Sequence, residues 1–445
     1  MTETSSSSTI STRLQRIAKL AKESPAMAFT TLAHYIDMDH LREAHRLTRK
    51  DGAVGVDGQT AAEYAKNLEA NLQSLLDRAK SGGYRAPPVR RVHIPKGDGS
   101  KTRPIGVPTF EDKILQRAVL MLLEPIYEQD FVEWSYGFRP GRSAHDALAA
   151  MWSALMDMHG GWVIEVDIES FFDELDHDHL RTFLRRRVQD GVLSRLLGKW
   201  LAAGVLEGGV IEKPASGTPQ GGVISPLLAN VYLHEVFDRW FEDEVRRRLA
   251  GRAFVVRYAD DIVIVCSAEA DARRVMEVLP KRLGRFGLRL HPDKTRRVEF
   301  RQPRWSQRRP GPGQGSFDLL GFTHFWMRSR RGTWVIRQKT ARDRFHRAVR
   351  RLWEWCRDHR HWPVAVQHRI LSAKLRGHDA YYGVTGNSSM LAKLRHQARR
   401  AWRRWLHRRS QRGGMYWPRF RRLLERYPLP GPVAVRSVHR RTANP

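Results

Sequence analysis

The chain has 445 residues, of which 41% are hydrophobic and 9% aromatic, so it is long enough to form two or three domains with cores of their own. Its 78 Lys and Arg against 47 Asp and Glu give a net charge of +31, which predicts an anionic polymer as the main partner. The two cysteines, Cys266 and Cys356, and the lack of a long apolar run exclude a disulfide scaffold, a paired-cysteine zinc module and a membrane span.

The positive charge is concentrated in the last third of the chain. Residues 301–445 hold 35 Lys and Arg against 6 Asp and Glu, a net charge of +29, whereas residues 1–300 hold 43 against 41, a net charge of +2. The anion-binding surface is therefore expected mainly beyond residue 300. Because polar residues follow Met1 and no apolar leader is present, we expect a soluble, cytoplasmic protein.

The first 160 residues are predicted to form helices and one β-hairpin. Residues 1–12 are rich in Ser and Thr and are predicted to be disordered. Apolar residues at helical spacing predict helices at 14–21, 41–49, 61–79 and 112–123. Strands predicted at 89–95 and 102–107 are expected to pair around a turn at 97–99.

From residue 160 onward, predicted strands alternate with predicted helices. The strands are expected at 162–168, 254–256, 262–265, 288–290 and 317–325. The helices are expected at 175–188, 227–249 and 270–286, with a glycine-rich loop at 217–222. Beyond about residue 337 the strand signals vanish, and helices with Arg-rich faces follow. The chain is therefore predicted to be an α+β protein with antiparallel strands, followed by an all-α basic domain.

Two adjacent carboxylates, Asp260 and Asp261, lie between the apolar runs 254–256 and 262–265, and Asp167 ends another apolar run upstream. Two carboxylates this close cannot both ionise cheaply, and a divalent cation such as Mg²⁺ would remove that penalty. If the strands lie side by side, the three carboxylates form a site for two-metal phosphoryl transfer. The simpler alternative is a polar hairpin tip with solvated acids.

Seven ordered blocks carry a resemblance to a known family. They are 135–143 (SYGFRPGRS), 167–172 (DIESFF), 217–222 (GTPQGG), 258–261 (YADD), 287–295 (GLRLHPDKT), 319–322 (LLGF) and 376–384 (RGHDAYYGV). In this order they resemble the bacterial group II intron reverse transcriptases, also called maturases, and the likeness runs from about residue 50 to 445. A lone Asp-Asp pair is a weak signal, but seven blocks in order are a specific one.

The resemblance implies the fold of a right-hand polymerase. It assigns 13–159 to the fingers, 160–336 to the palm with part of the fingers interleaved around 176–220, and 337–445 to a helical thumb or maturase domain. It also implies two Mg²⁺ ions bridged by Asp167 and Asp260, with Asp261 completing the acidic cluster and the carbonyl of Ile168 as a further ligand.

The resemblance also implies contacts to the incoming nucleotide. They are assigned to Lys96, Arg103, Phe172, Gln220, Gly221 and Lys294. Phe172 would lie beneath the sugar and exclude a ribose 2′-hydroxyl, with Phe171 as the alternative, and either ring could instead belong to the core. Lys294 would protonate the departing pyrophosphate, although solvation at a helix end explains a lysine there almost equally well. Lys96 and Arg103 would grip the triphosphate, and the alternative is a solvated basic hairpin.

Arginines in two segments are predicted to contact nucleic acid: Arg139, Arg142, Arg403, Arg404, Arg408 and Arg409. In the second segment Trp402 and Trp405 alternate with these charges, a pattern that suits structured RNA. The alternative is a solvated Arg face, which a net charge of +29 over residues 301–445 disfavours.

The resemblance implies a cytosolic or nucleoid enzyme that copies intron RNA into DNA and assists splicing and mobility. Its partners would be group II intron RNA, an RNA template with a DNA primer, and dNTPs, while a homodimer stays open. One alternative is a reverse transcriptase without an intron, domesticated or defence-associated. Another is an RNA-binding splicing factor with a vestigial polymerase site. Many relatives continue into a nuclease with cysteine pairs. Either this branch of the family lacks that endonuclease or the segment was trimmed, so second-strand cleavage by this chain is not predicted.

Overall fold

The protein, represented by a computed structural model, is described at residues 2–96, 101–207, 209–212, 217, 221–307, 315–410, 414–434 and 436. Its side chains are described from residue 10 onward, except those of Lys96, Lys101 and Glu212. The turn predicted at 97–99 lies outside these ranges. Both cysteines are free and buried.

The helices are distributed along the whole chain. In order they are α1 (Thr2–Glu23), α2 (Met38–Leu47), α3 (Ala61–Ala65), α4 (Leu68–Ser81), α5 (Phe110–Asp130), α6 (Ala144–Asp157), α7 (His177–Arg185), α8 (Gly191–Leu201), α9 (Ser225–Leu233), α10 (Glu269–Gly284), α11 (Arg342–Asp358), α12 (Val364–Tyr382), α13 (Ser388–His407) and α14 (Trp417–Arg426). Of the helices in these ranges, none combines the length and apolar composition that crossing a bilayer requires.

Among the described residues, the strands all precede residue 341. In order they are β1 (Val89–Lys96), β2 (Lys101–Val107), β3 (Trp162–Val166), β4 (Val205–Glu207), β5 (Val210–Glu212), β6 (Ala253–Tyr258), β7 (Asp261–Cys266), β8 (Arg296–Glu299), β9 (Phe317–Leu319), β10 (Phe322–Arg328) and β11 (Trp334–Thr340). They form sheets of order β2-β1-β4-β5, β6-β7-β3-β8 and β11-β10-β9. An α+β core followed by a helical region is what the sequence predicted.

The central sheet is antiparallel and carries the predicted acidic positions. In its register, Ile164 of β3 faces Ile264 of β7, which also faces Val255 of β6. One face of this sheet packs against the largest apolar cluster, formed with helices α1–α5 and α7–α10. The other face packs on α6 and on β9–β11. A separate cluster joins α11–α14, so the basic end of the chain has a core of its own.

Some predicted elements were wrong in extent. Residues 1–12, predicted to be disordered, are helical from Thr2 onward, because Ile10 and Ile17 of α1 are buried against the core. The single helix predicted at 227–249 is α9 followed by π-turns at His234–Asp238 and Phe241–Val245 and a short 3₁₀ turn. The strand predicted at 288–290 is reduced to one bridge between Ile168 and Leu290.

A buried carboxylate lies within the largest core. Asp112, near the start of α5, is 2% exposed. It accepts hydrogen bonds from the hydroxyl of Tyr84, from Trp200 Nε1 (2.7 Å) and from Gln116 Nε2 (2.9 Å). The Oε1 atom of Gln116 accepts from the backbone N–H of Val223 at 2.7 Å. This network therefore ties the core to the segment that follows the 217–222 loop, and burial raises the pKa of Asp112 to about 6.

Replacing Asp112 by Asn should change how stability depends on pH. Because the folded-state pKa of Asp112 is raised above 3.8, the folded protein binds this proton more tightly than the unfolded chain does. Protonation of Asp112 therefore stabilises the folded protein. This stabilisation is complete below about pH 4 and is lost as the pH rises through about 6, a change of about 3 kcal/mol. Between about pH 4.5 and about pH 7.5, the free energy of unfolding in urea should fall by about 2 kcal/mol more for the wild type than for Asp112→Asn. Parallel pH profiles would contradict the assignment.

Candidate active site

The three predicted carboxylates lie at one edge of the central sheet. Tyr258 pairs with Asp261 across the β6–β7 hairpin, so Ala259 and Asp260 form its two-residue turn. Since Val166 pairs with Ile262, the chain leaving β3 brings Asp167 alongside the start of β7. The expectation that strands 93 residues apart in sequence lie side by side is therefore confirmed.

The turn has a backbone conformation that L-residues rarely adopt. Ala259 has φ of +57°, a left-handed conformation that costs roughly 1–2 kcal/mol for a residue with a Cβ atom. The backbone of Gly137 packs directly against that of Ala259, because a Cβ atom built on Gly137 would lie 2.2 Å from the backbone nitrogen of Ala259. The direction in which Asp260 points is therefore set by its surroundings as well as by the hairpin itself.

The acidic edge is both solvent-accessible and crowded by protein. Asp261 is exposed at the surface, yet desolvation by surrounding protein raises its pKa to about 6, with further increases from Asp260 and Asp167. Burial also raises the pKa of Asp260; Asp167 adds to this, while Arg103 and Lys294 oppose it. A concave site open to solvent explains both observations.

Lys294 is the cation nearest to Asp167 in a direct ion pair. Its Nζ lies 2.9 Å from Asp167 Oδ2, and the lysine side chain is 59% exposed. The backbone carbonyl of Asp167 accepts from the N–H of His291 at 2.8 Å. The 287–295 block therefore folds back onto the end of β3, and Lys294 belongs to the acidic site rather than to a solvated helix end.

The site presents hard oxygen donors, which suit Mg²⁺. Within the described ranges, no group of three or more His, Cys, Asp or Glu side chains already converges closely enough to hold a metal ion. The charge of Asp167 nevertheless raises the pKa of Asp260, and the charges of Asp260 and Asp167 raise that of Asp261. Their mutual repulsion, with one oxygen of Asp167 on Lys294, fits an acidic site that a divalent cation would draw together.

Only some of the residues predicted to contact the nucleotide lie within the described ranges. Arg103 is exposed on β2 opposite Ile94, and its charge reaches Asp260. Gly221 has φ of +121°, and a Cβ atom there would lie 2.5 Å from the carbonyl oxygen of Gly106, so only glycine fits between the loop and β2. Gln220 and the side chain of Lys96 lie outside the described residues.

The two phenylalanines after Asp167 have different environments. Phe171 is 2% exposed within the largest core. Phe172 is only partly buried, and its ring packs edge-on against Phe171 with centroids 5.3 Å apart. Phe171 is therefore a core residue, whereas part of the Phe172 side chain stays exposed.

Arg139 does not fit the template contact predicted for it. It is 6% exposed, and its guanidinium donates to Glu128 and to the carbonyls of Val132 (2.7 Å) and Ser135 (2.9 Å). A guanidinium enclosed in this way cannot reach a phosphate, so the prediction for Arg139 is wrong. Arg142 is less enclosed: its side chain is 21% exposed and pairs with Glu133 at 3.0 Å.

The four predicted arginines of α13 and the residues after it have two kinds of environment. Arg404 and Arg408 are exposed, and Arg408 lies over the Trp405 ring. Arg403 lies 4.4 Å over the Trp417 ring and donates to the carbonyl of Met415, and Arg409 donates to the carbonyl of Trp362. The first pair is therefore free to meet a ligand more directly than the second.

Sequence reasoning missed one cation at the acidic edge. Arg344, in the first turn of α11, opposes the increase in the pKa of Asp261. The nearby Tyr381 donates from its hydroxyl to the carbonyl of Leu320 at 2.8 Å, so the helical region meets the core beside the carboxylates. The only signal for this in the sequence was that Arg344 follows the last strand closely, which is too weak to single it out.

Comparison with known proteins identifies the family of the chain. The family model described as "Reverse transcriptase (RNA-dependent DNA polymerase)" matches residues 94–324, a range that holds all three carboxylates. The chain belongs to the reverse transcriptase family. As in the family description, it is an RNA-directed DNA polymerase, with its carboxylates on the central sheet.

Relatives within this family include intron-encoded proteins. The protein is 38% identical over 323 residues to Protein YkfC of Escherichia coli (strain K12), covering 64% of this chain and 84% of YkfC. It is 39% identical over 229 residues to Group II intron-encoded protein LtrA of Lactococcus lactis subsp. cremoris, covering 50% of this chain and 37% of LtrA. It is 30% identical over 232 residues to Nuclear intron maturase 2, mitochondrial, of Arabidopsis thaliana. An intron-encoded protein and an intron maturase are thus among the relatives, and the aligned region spans little more than a third of LtrA.

Proposed function

We propose that this reverse transcriptase copies group II intron RNA into DNA and binds that RNA to assist splicing and mobility. The observation that carries the polymerase part is the grouping of Asp167, Asp260 and Asp261 at one edge of the β3–β7 pair. The intron part is supported by the likeness to LtrA and by the net charge of +29 over residues 301–445.

In the proposed reaction, Asp167 and Asp260 would hold two Mg²⁺ ions, with Asp261 and the carbonyl of Ile168 completing the site. When bound, these ions would activate the primer 3′-hydroxyl and neutralise charge on the triphosphate. Arg103 would bind phosphate oxygens at the same edge, where its charge already acts on Asp260. Alignment and charge neutralisation would supply most of the rate enhancement.

Lys294 is proposed to protonate the departing pyrophosphate. Its ammonium group lies 2.9 Å from Asp167 and is still 59% exposed, so it is near the reacting phosphates and free to exchange partners. When nucleotide binds, we expect Lys294 to leave Asp167 for the phosphate oxygens. Gln220 and Gly221 are proposed to contact the nucleotide from the loop beside β2.

Phe172→Val should let ribonucleotides compete with deoxynucleotides. The smaller side chain would leave room beneath the sugar, where the partly exposed Phe172 ring is proposed to exclude a 2′-hydroxyl. Single-nucleotide incorporation of rNTP and dNTP measures the ratio of their kcat/KM values, and we expect that ratio to rise by roughly 10- to 100-fold.

Phe171→Val is the matched control for this change. Because Phe171 is 2% exposed in the core, its truncation should cost about 1–3 kcal/mol of stability without relaxing sugar discrimination. Equal discrimination in Phe172→Val and in the wild type would move the proposed gate elsewhere.

Primer extension on an RNA template with the purified protein tests the proposed polymerase directly. We expect DNA product that depends on Mg²⁺ and dNTPs, together with binding of intron RNA at nanomolar protein. Extension without selective intron binding would favour a reverse transcriptase without an intron. Intron binding and splicing without extension would favour a splicing factor with a vestigial site.

A further inference from the structure

The hairpin that carries Asp260 and Asp261 is supported by a buried charged residue. Arg257, the next-to-last residue of β6, lies two residues before the hairpin turn and is 0% exposed. Its backbone N–H donates to the carbonyl of Trp134 at 2.9 Å, and its carbonyl accepts from the N–H of Tyr136 at 2.8 Å. The segment that contains Gly137 is therefore held against β6, on the side of the sheet edge away from β7.

The guanidinium of Arg257 reaches three different parts of the chain. Its Nε and Nη2 atoms donate to the two carboxylate oxygens of Asp238, at 2.7 and 2.5 Å. Its Nη1 atom donates to Asn230 Oδ1 at 3.0 Å and to the carbonyl of Ala259 at 3.3 Å. Asp238 is itself 0% exposed, so this forked ion pair lies wholly inside the protein and touches the left-handed turn residue directly.

Asn230 closes the network. Its Nδ2 atom donates to the carbonyl of Gly137 at 2.8 Å, and a Cβ atom on Gly137 would lie 2.2 Å from the nitrogen of Ala259. The Asn230 amide nitrogen thus fixes the Gly137 backbone, which packs against the turn, and the amide oxygen binds the Arg257 guanidinium. Both sides of the Ala259 turn are fixed by the same amide.

The π-turn explains how Asn230 and Asp238 meet one guanidinium. On a regular α-helix, residues eight apart would lie about 80° apart around the axis. The π-turn at His234–Asp238 takes more residues per turn and reduces that offset, so both side chains face Arg257. The π-turn therefore allows Asn230 and Asp238 to bind the same guanidinium.

We propose that Arg257, Asp238 and Asn230 are positioning residues that set the direction of Asp260 relative to Asp167 through the Ala259 turn. The proposal rests on the metal-binding role proposed for those two carboxylates. Buried charged groups are expensive unless fully paired, and stability alone would be served as well by apolar side chains. A rigid polar network suits a turn that must keep a strained conformation beside repelling carboxylates.

The test compares four variants with the wild type. Arg257→Lys keeps the charge but cannot fork onto Asp238 and also reach Asn230 and Ala259. Asn230→Ala removes only the amide and leaves the ion pair. Asp260→Asn reports on the metal site itself. Arg187→Lys is the matched control, because Arg187 is also buried, pairs with Asp130 at 2.9 Å and donates to backbone carbonyls, but makes none of these bonds to the hairpin.

Three quantities are measured: the melting temperature, Mn²⁺ affinity by electron paramagnetic resonance without nucleotide, and kcat and KM for single-dNTP incorporation. Arg257→Lys and Asn230→Ala should weaken Mn²⁺ binding or lower kcat by roughly 10- to 100-fold, with the KM for dNTP nearly unchanged. Arg187→Lys should lower the melting temperature without changing Mn²⁺ affinity or kcat. If Arg257→Lys does not fold, Asn230→Ala carries the comparison.

The outcomes separate this inference from the proposed site. If Asp260→Asn binds Mn²⁺ as tightly as the wild type, the metal assignment is wrong and the positioning role falls with it. If Asp260→Asn loses Mn²⁺ but Arg257→Lys and Asn230→Ala lose only thermal stability, as the control does, the site stands and the positioning role is overturned.

Discussion

Asp260→Asn should abolish DNA synthesis while leaving the fold and RNA affinity nearly intact. The carboxylate lies in a turn at the sheet edge, where it repels Asp167 and Asp261, so its charge serves a ligand rather than packing. Removing one proposed metal ligand should lower primer extension by at least about 100-fold. The same variant should still promote splicing, because the chemistry of splicing belongs to the RNA.

Asp293→Asn is the matched control for this substitution. It removes one negative charge from an exposed position next to Lys294. It therefore tests whether a general change of charge near the site is enough to abolish DNA synthesis. We expect Asp293→Asn to extend primers at close to the wild-type rate. Extension by Asp260→Asn at more than a few per cent of the wild-type rate would contradict the assignment of the metal site.

The sequence was sufficient to predict the acidic edge for an identifiable reason. β-Branched runs on both sides of Asp260 and Asp261 can form little else than a hairpin, and β6 and β7 are that hairpin. The pairing of β3 with β7 could not be derived from periodicity, because register between distant strands depends on tertiary packing. The order of the family's blocks supplied that information instead.

The predictions that failed did so because tertiary contacts decided the outcome. An arginine within 135–143 looks the same in sequence whether it meets a phosphate or, as Arg139 does, Glu128 and two carbonyls. The helix predicted at 227–249 is interrupted by π-turns, and the first of them ends at Asp238, which pairs with the buried Arg257. Buried ion pairs have almost no local sequence signal.

The structure also narrows choices that the sequence left open. Burial separates Phe171 from Phe172, and the ion pair with Asp167 moves Lys294 from a helix end to the site. In the C-terminal region, solvent exposure distinguishes Arg404 and Arg408 from Arg403 and Arg409, which bond within the protein. These distinctions determine which arginines a binding experiment should change first.

Arg404→Gln combined with Arg408→Gln should weaken intron RNA binding and flatten its dependence on salt. Each Arg–phosphate contact that is lost lowers the slope of log affinity against log salt by about 0.9, so two contacts lower it by about 1.8. For about 6 contacts the wild type should lose on the order of a thousandfold in affinity between 50 and 200 mM salt, and roughly twelvefold of that loss should disappear in the variant.

Adding Arg403→Gln and Arg409→Gln should weaken RNA binding less than the first pair does, but it should destabilise the protein more. Arg403 covers the Trp417 ring and Arg409 donates to the carbonyl of Trp362, so their loss should lower the melting temperature of the helical region. The slope should fall by at most about 3.6 for all four residues, and by clearly less if the second pair makes no phosphate contact.

The control for the double variant is Arg247→Gln with Arg248→Gln. This pair loses the same charge from exposed positions in the reverse transcriptase core, where net charge is nearly balanced. Intron affinity across a salt series and splicing at low Mg²⁺ should change in the Arg404/Arg408 variant and not in this control, while primer extension on a non-intron template should stay unchanged in both. If the two pairs behave alike, general electrostatic attraction accounts for binding. The proposed RNA surface would then lie elsewhere, and a reverse transcriptase without an intron would become the better interpretation.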